Sequence, residues 1–320
     1  MNSNSLITAL KYKFLKPELK CLVLNYHGII EKNTAGHLER NFHLLKSFKE
    51  QVNLFHKKYN IISLQELYYY LNNGYKITNS IVLTFDDGYQ NNLLAKEVID
   101  SINPKIPFSI FITSNIINSD TESIWTVNLS LLLLKGKIPQ IDFLSVKYSL
   151  GTEDEKMLTF NTIRNALKKM PATERKTHFQ LIINQFQPNS LQELLYNYPQ
   201  FKLLTWEECR QLNNSNVELE AHGFNHELLH SNQEIQITEN EIVWSKQKIE
   251  KELQKVVSSY AYPNGDFSDE AIRNLKSTNF KMAFTTKPGF VELKESFFVI
   301  NRLTPPNNYS SLYNQLKSIQ

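Results

Sequence analysis

The chain has 320 residues, 41% of them hydrophobic and 12% aromatic, enough for two average domains or one large barrel and too apolar for a disordered chain. Its 35 Lys and Arg against 32 Asp and Glu leave a net charge of +3, without the single-sign field that implies a nucleic-acid partner or an acidic tail, so no nucleic acid is expected. Nine Gly and 11 Pro exclude collagen-like and linker-dominated designs.

Cys21 and Cys209 cannot build a disulfide framework and match no zinc or redox spacing, so both are read as free thiols in a reducing compartment. Apolar runs such as Leu131–Leu134 fall far short of the roughly 18 residues a membrane span requires, and no transmembrane segment is expected. Leu6, Ile7, Leu10 and Phe14 have helical spacing, but Lys11, Lys13 and Lys16 interrupt them and no small-residue cleavage site follows. That segment is read as a helix packed on its own domain rather than a signal peptide, with peripheral membrane contact as the second reading. The expected location is the cytoplasm, membrane-associated under that second reading.

In chain order, Cys21–Asn25 is a short run of buried-strand type, and Tyr26, His27 and Gly28 follow directly at its end. Leu38, Phe42, Leu45, Phe48, Val52 and Phe55 recur every three or four residues and predict an amphipathic helix over Leu38–Tyr59. Ser63 with Glu66 three residues later predicts a capping box opening a second helix. A strand over Ser80–Phe85, a helix over Asn91–Ser101 and a strand over Pro107–Thr113 come next. Much later follow a helix over Trp206–Leu212, a strand over Val217–Ala221, a helix over Glu239–Leu253 and a strand over Val256–Tyr262. A helix over Asp269–Ser277, a strand over Phe280–Thr285 and a terminal strand over Phe297–Leu303 complete the run. Strands alternating with helices predict parallel βαβ units and an α/β fold. Between Asn115 and Leu204 the alternation gives way to helical patterns over Glu155–Met170 and Thr173–Phe186, with one weak strand near Ile141. No repeat or linker marks a boundary, so the chain is read as one domain over 1–320 with a mostly helical cap inserted at about 116–204.

Asp86 and Asp87 stand immediately after the Ser80–Phe85 strand and are followed by Gly88. Carboxylates at the carboxyl end of a parallel strand sit where α/β folds place their sites, and in the turn beyond the strand both can reach one ion. Asp-Asp-Gly is also ordinary turn chemistry, so the pair alone does not decide. His222, His226 and His230 are spaced four and four, a separation that places two imidazoles on one metal when the segment is helical. Two metal readings share these histidines. His226 to His230 spell HELLH, the zincin peptidase pattern in which Glu227 is the base and an acid such as Glu250 would complete the ligands. His222 to His226 spell HGFNH, directly after a strand and positioned to join the Asp pair.

A third element is the strand ending in Tyr262, Pro263, Asn264 and Gly265, a rigid turn able to offer backbone N–H groups to an oxyanion. With LTFDDGY, HGFNH and this P-x-G turn in that order, the sequence resembles the polysaccharide deacetylase family, the NodB-homology carbohydrate esterases, from about Tyr26 to Arg302 outside the insertion. The resemblance implies a distorted (β/α) barrel and a hydrolase acting on carbon–nitrogen bonds other than peptide bonds. In it Asp86 matches the general base, and Asp87, His222 and His226 match the ligands of one divalent metal ion, zinc in the first place. It also implies an oxyanion role for the backbone N–H of Asn264 and places His230 outside the motif. Gly223 replaces the usual Ser or Thr, and Ala261 stands where many members carry an Arg that orients the base, a place Arg302 could fill. No His occurs after His230 to serve as the late general acid. His27 in LNYHGI resembles the early Tyr-His element of permuted members and is the candidate acid. The implied function is metal-dependent deacetylation of an N-acetylated glycan or of a lipid-linked or nucleotide-linked sugar precursor of capsule, lipopolysaccharide or a related cell-surface polysaccharide, releasing acetate. A zincin-like metallopeptidase and a non-catalytic glycan-binding member of the fold are the alternatives.

Overall fold

The computed structural model describes residues 21–119, 123–213, 216–292, 296–308, 311–312 and 314–315, so the amphipathic N-terminal segment lies outside the described residues. The first half of the chain runs β1 (Leu22–Tyr26), β2 (Ile29–Ile30), β3 (His43–Leu44), α1 (Leu45–Lys58), β4 (Asn60–Ile61), α2 (Leu64–Asn72), β5 (Ser80–Phe85), α3 (Asn92–Ile102) and β6 (Phe108–Ile112). The insertion follows as α4 (Trp125–Lys135), β7 (Gln140–Phe143), β8 (Val146–Ser149), α5 (Glu153–Leu167), α6 (Ala172–Ile183) and α7 (Ser190–Asn197). The chain then returns through α8 (Trp206–Leu212), β9 (Val217–Ala221), α9 (Ile235–Leu253), β10 (Ser259–Ala261), α10 (Asp269–Ser277) and β11 (Met282–Phe284).

The main sheet has the order β1-β5-β6-β9-β10-β11, with β4 also on β5, and every pairing in it is parallel. Each residue of β1, β5 and β6 is buried, the near-continuous apolar pattern of strands covered on both faces. The sheet curls into a half-barrel with helices around it. Its two edges are joined by the stretch at 296–308. Ile300 N donates to Ala283 O at 2.9 Å on the β11 side, and Leu303 N donates to Val23 O at 2.9 Å on the β1 side. The strand expected over Phe297–Leu303 therefore forms only the isolated bridges Phe284↔Ile300 and Leu24↔Leu303, because it changes partner within three residues.

Two further expectations are corrected. The helix expected over Leu38–Tyr59 begins at Leu45, since Gly36–Glu39 forms a 3-10 turn and His43–Leu44 pairs in parallel with Ile29–Ile30. The weak strand near Ile141 is one arm of an antiparallel hairpin, Gln140–Phe143 against Val146–Ser149. The capping box at Ser63 and Glu66 is present, with Glu66 N donating to Ser63 Oγ at 3.0 Å.

Within the insertion, α4 is buried from Val127 to Leu134 and so is a core helix rather than a surface one. Its Leu129 and Leu133, with Phe160 and Ile163 of α5, belong to the same apolar cluster as Leu83, Ile110 and Leu219 of the sheet. Among the described residues no helix is long and apolar enough to cross a membrane.

Candidate active site

All the parallel strands end on one side, and the chemistry-bearing residues follow those ends: His27 after β1, Asp86 and Asp87 after β5, His222 after β9, and Pro263–Gly265 after β10. The turns that aim them are unusual for L-residues. Asp87 (φ 75°), His226 (φ 61°) and Asn264 (φ 59°) all occupy the left-handed region, a cluster of costly conformations of the kind that functional sites retain. Gly88 follows at φ 76°, and a Cβ there would stand 2.9 Å from Ile112 Cγ2, so the chain turns against β6 only with glycine.

Asp87, His222 and His226 are buried and each offers one ligand atom, all within 4.8 Å of one another. His222 Nε2 and His226 Nε2 lie 3.2 and 3.3 Å from the same oxygen, Asp87 Oδ1. That oxygen receives no well-directed hydrogen bond, an orphaned buried acceptor between two imidazoles. His222 Nδ1 lies 2.8 Å from Ala261 O, the contact that assigns the proton to Nδ1 and leaves Nε2 free to ligate. The donor set of one carboxylate and two imidazoles fits a divalent ion such as zinc. Burial would push Asp87 up, but the two imidazoles against its carboxylate and nearby histidine charge hold it well below the usual carboxylate range. Burial lowers His226 despite Asp87, and His222 is raised because Asp86 and Asp87 outweigh its burial.

Asp86 has a different partner. Arg302 Nη1 donates to its Oδ1 and Nη2 to its Oδ2, both at 2.7 Å, in a bidentate pair sealed from solvent. Arg302 Nε donates to Thr285 O at 2.9 Å and Nη1 also reaches Thr84 Oγ1 at 3.3 Å, so the guanidinium is fixed across the seam that joins the sheet edges. Burial would raise the Asp86 carboxyl, but the charges of Arg302 and His222 and the Arg302 hydrogen bonds outweigh it and keep it below the usual value.

The 222–230 segment is not helical, so the face-sharing i, i+4 geometry of HELLH does not form. Gly223 at φ 84° opens a loop instead, and a Cβ there would meet Glu241 Oε2 at 2.7 Å, which accounts for glycine at this position. The Glu241 carboxylate, on α9, accepts from Phe224 N at 2.9 Å, from Asn225 N at 2.9 and 3.0 Å to its two oxygens, and from Glu227 N at 3.2 Å. Burial pushes Glu241 up to about 7, held back by the Asn225 and Phe224 donors. Glu227 pairs with Arg175 of α6 and lies 3.2 Å from Lys176 Nζ, tying the loop to the insertion. His230 stands apart from the Asp87, His222 and His226 cluster and lines an adjoining groove with Asn232 and Asp266, which shares Lys168 and Asn264 with the cavity that holds the cluster.

One cavity contains His27, Asp86, Asp87, His222, His226 and Asn264. Tyr89 also lines it, its hydroxyl pushed well up by burial and by the Asp87 charge. Thr126, Val127 and Ser130 of α4, with Arg164 and Lys168, add a wall from the insertion. Sequence reasoning missed Arg40, Arg164, Lys168, Tyr89 and Glu241. Tyr89 was within reach, two residues after Asp87 in LTFDDGY, whereas the others meet the site only through tertiary packing.

Residues 151–283 match the family model for polysaccharide deacetylase. This segment holds His222, His226 and the Pro263–Gly265 turn, while Asp86 and Asp87 lie before it, so the match starts within the insertion and is shorter than the span over which the motifs resemble the family. No curated protein matches the chain. Among solved structures, the Streptococcus pyogenes deacetylase PplD in complex with acetate shares the fold at a TM-score of 0.61 and 16% identity, covering 95% of this chain and 99% of that one. IcaB from Ammonifex degensii does so at 0.58 and 13%, covering 93% and 96%. A de-N-acetylase from Aggregatibacter actinomycetemcomitans does so at 0.53 and 15%, covering 93% and 100%. At these identities the likeness is one of fold. The family is one of hydrolases of the carbohydrate esterase class, and residues 151–283 of this chain match its model within a curled parallel half-barrel that shares the fold of the solved deacetylases.

Proposed function

We propose that the protein is a metal-dependent deacetylase that hydrolyses the N-acetyl group of an N-acetylated glycan or glycan precursor of the cell surface and releases acetate. The observation that carries this reading is the meeting, in one cavity, of an Asp87–His222–His226 donor set with a second carboxylate, Asp86, held by Arg302. A divalent ion held by Asp87, His222 and His226 would supply Lewis acidity, acidifying water and polarising the acetyl carbonyl. Asp86 is the base that takes a proton from the attacking water, and Arg302 keeps it ionised and oriented. The backbone N–H of Asn264, in its left-handed turn, donates to the oxygen on which negative charge develops. His27 is the acid that protonates the leaving amine, its Nδ1 being without a partner among the described residues. The products are acetate and a free amino sugar. The whole chain acts as one catalytic domain, with the segment at about 116–204 as a cap on the acceptor side of the cavity.

The test is acetate release from N-acetylated oligosaccharides and sugar precursors by wild type and Asp86→Asn. Wild type releases acetate, and the variant is slower by about 10²–10⁴-fold with its metal content retained. A wild type that binds glycan and never releases acetate would instead be a glycan-binding protein, and the reading would be wrong.

A further inference from the structure

Arg40, Arg164 and Lys168 line the cavity that holds Asp86, Asp87, His222 and His226. They come from two parts of the fold: Arg164 lies on α5 of the insertion and Lys168 at its C-terminal cap, while Arg40 ends the Gly36–Glu39 turn of the barrel. Arg40 and Arg164 converge on one ring, with guanidinium carbons 5.5 and 5.1 Å from the centroid of Phe160. Lys168 Nζ donates to Asn264 Oδ1, which brings the third charge to the turn beside the candidate metal centre.

Among the described residues none of these cations forms an ion pair, because the neighbouring acids are engaged elsewhere. Glu39 accepts from Thr34 N, Ala35 N and Gln200 Nε2. Asp266 accepts from Asn264 Nδ2, Asp86 is held by Arg302, and Asp87 faces the two imidazoles. The mutual repulsion registers on the group nearest the turn. Burial first, then the charges of Arg164 and Arg40, with Asp266 only partly offsetting them, bring Lys168 down to about 8. His37 is likewise lowered by burial, then by Arg40 and Arg164. Three converging positive charges, none of them ion-paired among the described residues, are self-repelling in the free protein and are complemented by a bound anion. Two guanidinium groups, which also touch Asn165 Oδ1 and His37 O, and an ammonium match the several oxygens and multiple charges of a diphosphate, whereas a lone carboxylate would satisfy one of them.

We propose that Arg40, Arg164 and Lys168 form an anion subsite that holds the diphosphate of an activated sugar while its N-acetyl group faces Asp86 and the Asp87–His222–His226 cluster. This assignment rests on the deacetylase reading and names its substrate class, a sugar diphosphate, whether nucleotide-linked or lipid-linked.

The test is calorimetric titration of metal-loaded wild type, Arg164→Gln and Lys168→Gln with three probes. These are uridine diphosphate N-acetylglucosamine, N-acetylglucosamine diphosphate on a short polyprenyl chain in detergent micelles, and uncharged tri-N-acetylchitotriose, with acetate assayed in the same samples. The expected result is that at least one diphosphate sugar binds wild type tenfold or more tighter than the uncharged sugar, and that both variants lose tenfold or more of that affinity. Tighter binding of the nucleotide or of the lipid form identifies the source of the diphosphate. Equal affinity for charged and uncharged sugars, or variants that bind the diphosphate sugars as tightly as wild type, overturns the subsite. Acetate release from the uncharged sugar without any preference for charge leaves the deacetylase reading standing and removes this one. Tight diphosphate binding that is lost in the variants, with no acetate from any probe, does the reverse.

Discussion

Arg302 is only 1% exposed, and both oxygens of Asp86 depend on it, so the pair has no solvent to fall back on. Arg302→Met leaves a buried carboxylate without its partner and is expected to cost about 3–5 kcal/mol in denaturant unfolding at neutral pH. The pH dependence follows from the direction of the Asp86 shift. In the wild type its carboxyl lies below the ordinary 3.8, so the stability it contributes is present above that value and is lost as pH falls through the lower folded value. In the variant the unpaired carboxyl is raised and its cost vanishes when it is protonated, so the gap between the two proteins narrows toward acid. A gap that stays constant from neutral pH to pH 3.8 would contradict the pairing. Asp86, Asp87, His222, His226 and Asn264 were legible because motif and strand end coincide, and Arg302 could be named as a candidate. Its contact with Asp86 was not legible, since 216 positions separate the two and only closure of the sheet edges joins them.

The loop between β9 and α9 depends on an element that its own sequence does not mention. Glu241 lies on α9 and its carboxylate collects the N–H groups of Phe224, Asn225 and Glu227, fixing the left-handed turn at His226. An amide has one acceptor oxygen and turns a donor toward these N–H groups. Glu241→Gln is therefore expected to cost about 2–3 kcal/mol of stability and to weaken metal binding about 10–100-fold. Unchanged metal affinity in an equilibrium titration would show that the loop is held by something else. The strands of the sheet were readable because each is a short apolar run followed by punctuation, and α8 and α10 fall over the expected residues. Two elements were misread for tertiary reasons: Phe42 continues a helical period but precedes a strand fixed by β2, and the final strand divides its hydrogen bonds between β11 and β1. The alternative reading of HELLH has helical spacing, but the segment starts from a left-handed residue.

The larger of two apolar clusters runs from the sheet through α4 and into α5, so no break in packing separates the segment at about 116–204 from the barrel, and a second cluster joins Val23, Val82, Phe111 and Phe284 of the sheet with Leu64 and Leu67 of α2. Arg175 and Glu227 add a buried ion pair across the same junction. Unfolding is therefore expected to be a single cooperative transition, with calorimetric and van't Hoff enthalpies in agreement. An earlier, separate melting of the segment at about 116–204 would show that it is an independent unit and would weaken its assignment as a wall of the cavity. The insertion is also where the sequence was least informative, because its helices face inward to a site whose other residues come from distant parts of the chain, on either side of it. The proposed activity depends on the Asp87–His222–His226 centre, and its most direct test is elemental analysis of purified wild type, Asp87→Ala and His230→Ala after mild dialysis. The expected result is about one divalent ion per chain in wild type and His230→Ala, and loss of the ion in Asp87→Ala. Loss of metal in His230→Ala, or absence of any bound metal in all three proteins, would contradict it.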